Sequence, residues 1–190
     1  MSTGRPVVIY DAVAGTSAAR AWWLLRYFGH PDVRLLDGGW SGWQSVAGPV
    51  ATGEEGVEAG NFEPAPGQMR LLDAAEAQEV ARTGLLVDAR TPDRYRGDAE
   101  PVDPVAGHIP GAANVPTGAN LADGRFRDAD ELAELYRVPP SGRVAAYCGS
   151  GITATHDVFA MALLGIDASL YAGSWSDWVT DADRPVATGS

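Results

Sequence analysis

The chain has 190 residues, of which 45% are hydrophobic and 21% are charged, so it can bury a core as one domain or as two small ones. Its formal net charge of -11 would repel phosphate backbones and anionic membrane surfaces, which argues against nucleic acid and lipid as partners. No apolar run approaches the roughly 20 residues that cross a bilayer, and the N-terminus lacks the pattern of a signal peptide, so we expect a cytoplasmic protein.

In chain order, the first 53 residues predict a strand, a helix, a strand and a Trp-rich tail. Residues 54–68 are rich in Gly, Glu and Pro and predict a linker, or alternatively a long ordered loop packed along its neighbours. The remaining residues alternate strands and helices, which favours an α/β fold with a central, mainly parallel sheet flanked by helices. The predicted strands are "MRLLD", "GLLVDAR", "AANVP", "RVAAYC" and "ASLYAG", and the predicted helices are "AAEAQEVAR" after Asp73 as N-cap, "DADELAELYRV" stopped by Pro139 and Pro140, and "TATHDVFAMALLG" ended by Gly165.

The two ends of the chain repeat one pattern. The segment "RPVVIYDAVAGTSAA" resembles "GRVAAYCGSGITATH", with Asp11 standing where Cys148 stands, and "LLDGGWSGW" parallels "LYAGSWSDW". The second copy is preceded by a much longer stretch than the first. We therefore predict the back half of one unit over residues 1–53, the linker over 54–68 and a complete second unit over 69–190.

The single cysteine, Cys148, lies where a predicted strand turns into a helix, which is where α/β proteins bind ligands. The small residues of "CGSGIT" allow backbone N–H groups to converge, and the following helix adds its positive end, so we expect a reactive thiolate rather than a structural cysteine. A lone cysteine cannot form an internal disulfide. His30, His108 and His156 lack the spacing of metal ligands, so we predict no metal and no cofactor.

The residues near Cys148 argue against several classes of cysteine enzyme. A tyrosine phosphatase needs an arginine where this loop has Ala154. A cysteine protease needs a histidine base, and His156 lies on the following helix, where we expect it to face elsewhere. Redox exchange would need a second cysteine. The remaining chemistry is a thiolate that accepts an atom and holds it among backbone amides.

Four segments in this order, "LLVDARTPDRYRG", "GHIPGAANVP", "CGSGIT" and "GSWSDW", resemble the rhodanese superfamily, specifically its tandem-domain 3-mercaptopyruvate/thiosulfate sulfurtransferases. The resemblance covers residues 69–190 completely and residues 5–53 as the back half of the non-catalytic first domain, which normally lacks the cysteine. It implies that Cys148 takes a sulfur from 3-mercaptopyruvate as a persulfide and releases pyruvate. A thiol acceptor such as thioredoxin or a small thiol, or cyanide in an assay, would then remove that sulfur.

The resemblance also implies roles for the residues near the thiol. Ser150 would donate its hydroxyl to the substrate or relay a proton, Thr153 would hold the loop to the helix start, and Arg94 would bind the anionic substrate. Amide groups would come from Gly149, Gly151 and Ile152. We expect structural roles for the other prominent side chains: an ion pair between Asp88 and Arg90, a solvated Arg96, backbone contacts of His108, and packing of Trp175 and Trp178.

The chain departs from the family pattern in two places. Mercaptopyruvate enzymes carry a second arginine where this chain reads "DAEPVDPVAG", so thiosulfate or another sulfane donor is the alternative substrate. The first unit lacks its front half, which leaves strand edges exposed. Our hypothesis is a truncated product or a start codon assigned too late. If the truncation abolishes activity, the alternative is that the protein serves as a non-catalytic binding or sulfur-carrier module.

Overall fold

The computed structural model describes residues 1–54, 56 and 58–190; residues 1–53 are called the first unit below, and residues 69–190 the second. The first unit follows the order strand, helix, strand, helix, and the second unit ends with the same order. The elements of the first unit are β1 (Val7–Ile9), α1 (Thr16–Tyr27), β2 (Val33–Leu35) and α2 (Gly39–Ser45). Those of the second unit are α3 (Ala74–Thr83), β3 (Leu85–Asp88), α4 (Pro92–Arg96), β4 (Ala113–Asn114), a 3-10 helix (Thr117–Asn120), β5 (Leu121–Ala122), β6 (Arg125–Phe126), α5 (Ala129–Tyr136), β7 (Val144–Tyr147), α6 (Ala154–Leu163), β8 (Ser169–Leu170) and α7 (Ser174–Trp178).

Four parallel strands form the central sheet in the order β4, β3, β7, β8. All four residues of β7 are buried, because helices cover both faces of the sheet, and this explains the continuous apolar run that the sequence shows there. The strand predicted for "MRLLD" was wrong. Only a single bridge joins Leu71 to Leu170, because the chain turns into α3 immediately afterwards at Asp73.

Local sequence signals set the helix boundaries of the second unit. The Asp73 carboxylate accepts a hydrogen bond from the Glu76 N–H at 2.8 Å, and Glu76 returns one to the Asp73 N–H, which forms a capping box. Asp128 begins α5 in the same way. That helix ends at Arg137 in a left-handed conformation, before the predicted stop at Pro139. The predicted N-cap and helix ends are therefore confirmed to within one or two residues.

The two units share a hydrophobic core. Helix α1 of the first unit packs against α6 of the second, and the ring of Trp22 meets Phe159 edge-on at a centroid distance of 5.0 Å. Buried residues of the first unit, such as Trp23 and Val33, belong to the same cluster as Val158 of the second. The first unit is thus held against the second by apolar burial, the dominant favourable term in folding.

The residues that connect the units pack on the first one. Within the described part of residues 54–68 there is no helix or strand; Glu55 and Val57 lie outside the described residues. The Ala65 N–H donates to the Phe28 carbonyl at 2.8 Å, and the Gln68 N–H donates to the Tyr27 carbonyl at 3.0 Å. Among the helices that the structure describes, none is long and apolar enough to cross a membrane.

One face of the first unit is open. Val8 on β1 and Tyr10 directly after it are 57% and 56% exposed, whereas Ala145 and Tyr147, at the matching positions in β7, are 0% exposed. In the second unit β3 pairs with β7 and α3 packs over it, and the described residues of the first unit contain no counterpart of either element. Strand β1 pairs with β2 alone, so its other edge is unpaired within the described chain.

This asymmetry predicts unequal effects of the same substitution in the two units. Val8→Lys should change the free energy of unfolding by less than about 0.5 kcal/mol, because the side chain is exposed. Ala145→Lys places a charge in the central strand and should cost more than about 4 kcal/mol or prevent folding. Urea unfolding of both variants measures this, and equal losses would show that the β1 face is covered.

Candidate active site

Cys148 lies directly after β7, at the carboxyl edge of the central sheet, and α6 begins six residues later at Ala154. The cysteine is only 1% exposed. The conformation of the loop between Cys148 and α6 depends on Gly151. Its φ is +75°, and a Cβ there would collide with the Ala172 carbonyl oxygen. The Gly151 N–H donates to the Cys148 Sγ at 3.1 Å. The loop thus requires glycine at residue 151 and brings its N–H to the sulfur.

Further amides of this loop are free to bind an anion. The N–H groups of Gly149, Ser150, Ile152 and Thr153 have no hydrogen-bond acceptor in the part of the chain that the structure describes. They lie at the N-terminal end of α6, where the helix dipole adds partial positive charge. Unpaired amides next to a sulfur atom can stabilise a thiolate or a persulfide anion.

Helix α7 fixes the loop from the other side. The N–H groups of Trp175 and Ser176 donate to the carbonyl oxygens of Cys148 and Gly149, each at 2.9 Å. The Ser174 hydroxyl accepts from the Cys148 N–H at 3.0 Å and donates to the Tyr171 carbonyl at 2.9 Å. Ser174 is fully buried and has a positive φ of 57°, a conformation that is costly for a residue other than glycine. Sequence reasoning missed Ser174, although it lies within the "GSWSDW" segment.

Arg94, for which the family resemblance implies substrate binding, borders the loop. Its Nη1 lies 3.4 Å from the point where a Cβ on Gly149 would stand. Glu100 accepts from Arg94 Nη2 at 2.6 Å and from Nε at 3.1 Å, and Asp103 accepts from Nη2 at 3.3 Å. Burial acts to raise the pKa of Glu100, but hydrogen bonds from Arg94 and two backbone N–H groups outweigh it and lower that pKa. A charged Glu100 therefore holds the guanidinium with Nη1 toward the loop.

These contacts can be compared with known proteins. The family description "Rhodanese-like domain" matches residues 1–46 and 69–181. The chain belongs to the rhodanese-like domain family.

Relatives within this family carry sulfurtransferase names. The chain is 48% identical over 192 residues to a Pseudomonas aeruginosa protein named "Probable 3-mercaptopyruvate sulfurtransferase", covering 96% of this chain and 68% of the relative. It is 46% identical over 194 residues to a Mycobacterium tuberculosis protein with the provisional name thiosulfate sulfurtransferase SseB, covering 97% and 68%. Two thirds of each relative are thus represented.

Solved structures support the same fold. The 3-mercaptopyruvate sulfurtransferase SseA from Escherichia coli, described as having the "Rhodanese" fold, matches with a TM-score of 0.78 and 31% identity over 90% of this chain and 67% of that chain. The anaerobic ergothioneine biosynthesis enzyme from Chlorobium limicola, solved in complex with its natural substrate trimethyl histidine, matches with a TM-score of 0.83 and 25% identity. That match covers all of this chain and 52% of the other.

The other predicted residues of this rhodanese loop differ in their surroundings. Ser150 is exposed and Ile152 is 48% exposed, so both are open to solvent in the loop after Cys148. We predict above that Thr153 holds the loop to the helix start, but its side chain makes no capping hydrogen bond. The reason is that its backbone is already helical, unlike that of a typical N-cap residue. The Thr155 hydroxyl instead donates to the Ile152 carbonyl at 2.6 Å.

The expected structural residues have structural contacts. Asp88 and Arg90 form a buried ion pair at 2.6 Å, and Arg90 also donates to Glu100 at 3.2 Å. His108 hydrogen-bonds through Nδ1 to the Tyr95 carbonyl at 2.8 Å. Trp175 and Trp178 are fully packed in the core, whereas Arg96 is solvated and pairs with Asp98 at the surface. Within the described residues there is no cluster of three or more His, Cys, Asp or Glu side chains that could hold a metal.

His156 points away from the thiol and toward the first unit. Its Nε2 lies 3.1 Å from the Ala14 carbonyl oxygen, which can only accept, so Nε2 carries the proton. Its Nδ1 then accepts from the Asn120 side-chain amide at 3.1 Å. Burial lowers the pKa of His156 to about 4, so the ring is neutral at pH 7. Both ring nitrogens are engaged, and His156 is a structural link between the units rather than a base for Cys148.

The contacts of Ser174 lead to a stability prediction. Ser174→Ala should lower the free energy of unfolding by about 1–3 kcal/mol, because the buried Cys148 N–H and Tyr171 carbonyl lose their partner. Ser174→Gly loses the same hydroxyl but relieves the positive φ, so it should be more stable than the alanine variant by roughly 1 kcal/mol. Urea unfolding measures both, and an alanine variant as stable as the parent would contradict the assignment.

Proposed function

We propose that this rhodanese-family protein is a sulfurtransferase that moves a sulfane sulfur from 3-mercaptopyruvate to a thiol acceptor through a persulfide on Cys148. The proposal rests on the loop after Cys148. Its Gly151 N–H donates to the Cys148 Sγ, and four further N–H groups in residues 149–153 have no acceptor in the described chain. Such a loop suits a sulfur anion better than a neutral thiol. The names of the relatives at 46–48% identity agree with this chemistry.

In the first step the Cys148 thiolate attacks the sulfur of 3-mercaptopyruvate. An S–S bond forms and the C–S bond breaks, with its electron pair passing to the carbon, which takes the proton of the donor thiol to give pyruvate. The product is a Cys148 persulfide anion, whose outer sulfur the loop amides stabilise. In the second step an acceptor thiolate attacks the outer sulfur and returns Cys148 to its thiolate form.

Arg94 and Ser150 serve the donor in this proposal. Arg94 binds the carboxylate through Nη1, because Glu100 occupies its Nε and Nη2. Ser150 is exposed in the loop after Cys148 and offers its hydroxyl to the donor or relays the proton. Gly149, Gly151 and Ile152 contribute backbone N–H groups. The catalytic contribution of Thr153 is its N–H, since its side chain makes no capping bond.

The acceptor in this proposal is a dithiol protein such as thioredoxin, or a small thiol, and cyanide replaces it in an assay. The mechanism needs Cys148 as a free thiol, and the structure has it free. Free thiols persist in a reducing compartment, and we propose the cytoplasm as the site of the reaction.

Asp11 supports a non-catalytic role for residues 1–53, which we propose to be the back half of a first rhodanese domain joined by residues 54–68 to the catalytic domain, 69–190. Its carboxylate accepts hydrogen bonds from the N–H groups of Val13, Gly15 and Ala18 at 2.8–2.9 Å. Burial acts to raise the pKa of Asp11, but these bonds outweigh it and lower that pKa. A carboxylate therefore fills the amide site that a sulfur anion would use.

Thiosulfate is the second candidate donor. No basic residue occurs between Asp98 and Gly107, and Val102, at the middle of that segment, is 73% exposed. One relative carries the name of a thiosulfate enzyme. The sulfonate-like end of thiosulfate is an anion that the Nη1 group of Arg94 could bind.

A comparison of the two donors tests the proposal. Purified protein with a thiol acceptor should release pyruvate from 3-mercaptopyruvate at least about tenfold faster than it releases sulfite from thiosulfate, because we propose that its site recognises the donor for which the 48%-identical relative is named. Cys148→Ser should abolish both reactions, while Arg96→Gln, a change of a solvated arginine, should alter neither. Faster sulfite release would favour the thiosulfate function, and activity in Cys148→Ser would overturn the proposal.

A further inference from the structure

Arg20, on α1 of the first unit, reaches the loop of the catalytic cysteine. Its Nη1 donates to the Gly151 carbonyl at 3.4 Å, and its guanidinium lies 5.4 Å from the centre of the Trp23 ring. Gly151 is also the residue whose N–H contacts the Cys148 sulfur at 3.1 Å. Adding the backbone bonds between these two contacts places the guanidinium at most about 11 Å from the sulfur. Arg20 and the Cys148 sulfur therefore both contact Gly151, the sulfur through its N–H and Arg20 through its carbonyl.

The charge of Arg20 is not offset by a neighbouring acid. No carboxylate of the described residues lies within salt-bridge distance of it. Arg94, the other arginine at the loop, contacts Glu100 at 2.6 Å and Asp103 at 3.3 Å. The hydrogen bond of Arg20 to a neutral carbonyl is long, and its stacking on Trp23 leaves its remaining N–H groups available. In a chain of net charge -11, Arg20 is therefore a cation at the mouth of the site that can receive an anion.

We propose that Arg20 binds the carboxylate of the sulfur donor together with Arg94, so that the first unit supplies a substrate-binding residue to a thiol that belongs to the second unit. The identity of the donor rests on the proposed function; the preference of the site for a carboxylate does not. A guanidinium binds a carboxylate with two parallel hydrogen bonds, which a partly buried site screens less than open solvent does. The first unit thus acts in donor recognition, in addition to packing on α6.

Alkylation of Cys148 tests this without sulfur transfer, because the chain has no other cysteine. Iodoacetate carries a carboxylate next to its reactive carbon, and iodoacetamide is its neutral counterpart of similar size. Arg20→Gln should slow alkylation by iodoacetate by about three- to tenfold and leave the iodoacetamide rate within about twofold. Arg20→Lys should keep part of the iodoacetate preference. Arg26→Gln is the matched control, since Arg26 lies on the same helix and bonds to the Pro31 carbonyl, and it should change neither rate.

The outcomes separate a binding role from a structural one. Equal slowing of both reagents in Arg20→Gln and Arg20→Lys, or no change in either, would overturn the inference. With 3-mercaptopyruvate as donor, Arg20→Gln should raise KM by a similar factor while kcat stays within about twofold, because the lost contact is made in the ground state as well. If the parent protein alkylates selectively but accepts sulfur from neither donor, the proposed function fails and the carboxylate preference stands.

Discussion

The site depends on the conformation of the chain at Gly151. The Ala172 carbonyl leaves no room for a side chain there, and the positive φ turns the Gly151 N–H to the Cys148 sulfur. The carbonyl of the same residue accepts from Arg20 of the first unit. One residue therefore connects the sulfur, the end of the central sheet and the neighbouring unit. A change in how α1 packs on α6 would alter the Arg20 contact to Gly151, the residue whose N–H contacts the sulfur.

The loops that follow β1 and β7 carry different residues at matching positions, Asp11 in the first unit and Cys148 in the second. In the first unit the carboxylate of Asp11 accepts the N–H groups at the start of α1, so the loop satisfies its own amides. In the second unit a cysteine stands at the same position, and the amides that follow it keep their capacity to bind an anion. The Asp11 carboxylate thus occupies amides in the first loop, whereas we propose that the amides after Cys148 bind a transferred sulfur.

Most of the second unit was predictable from the sequence because its signals are local. The caps at Asp73 and Asp128 and the buried run of β7 depend on neighbouring residues, and the predicted elements matched. The 3-10 helix, the β5–β6 hairpin and the short helices α4 and α7 were missed, since each involves only two to five residues. The strand expected before Asp73 was lost because the cap begins too soon after it.

The site was only partly predictable because several of its contacts are distant in sequence. Cys148, Arg94 and the loop glycines were predicted as site residues from the loop sequence and the family resemblance. Ser174 acts on Cys148 across 26 residues and Arg20 on Gly151 across 131, and no pattern in the sequence reports such pairs. Thr153 illustrates the reverse error, since its type suits a cap but its backbone conformation does not.

We propose that the amides after Cys148 receive the transferred sulfur. A crystal structure of protein treated with 3-mercaptopyruvate in the absence of an acceptor tests it most directly. We predict one additional sulfur atom bonded to the Cys148 Sγ and lying within about 3.5 Å of at least two of the loop N–H groups that lack an acceptor in the described chain. A persulfide turned away from these amides, or an unmodified Cys148 after complete donor treatment, would contradict the account.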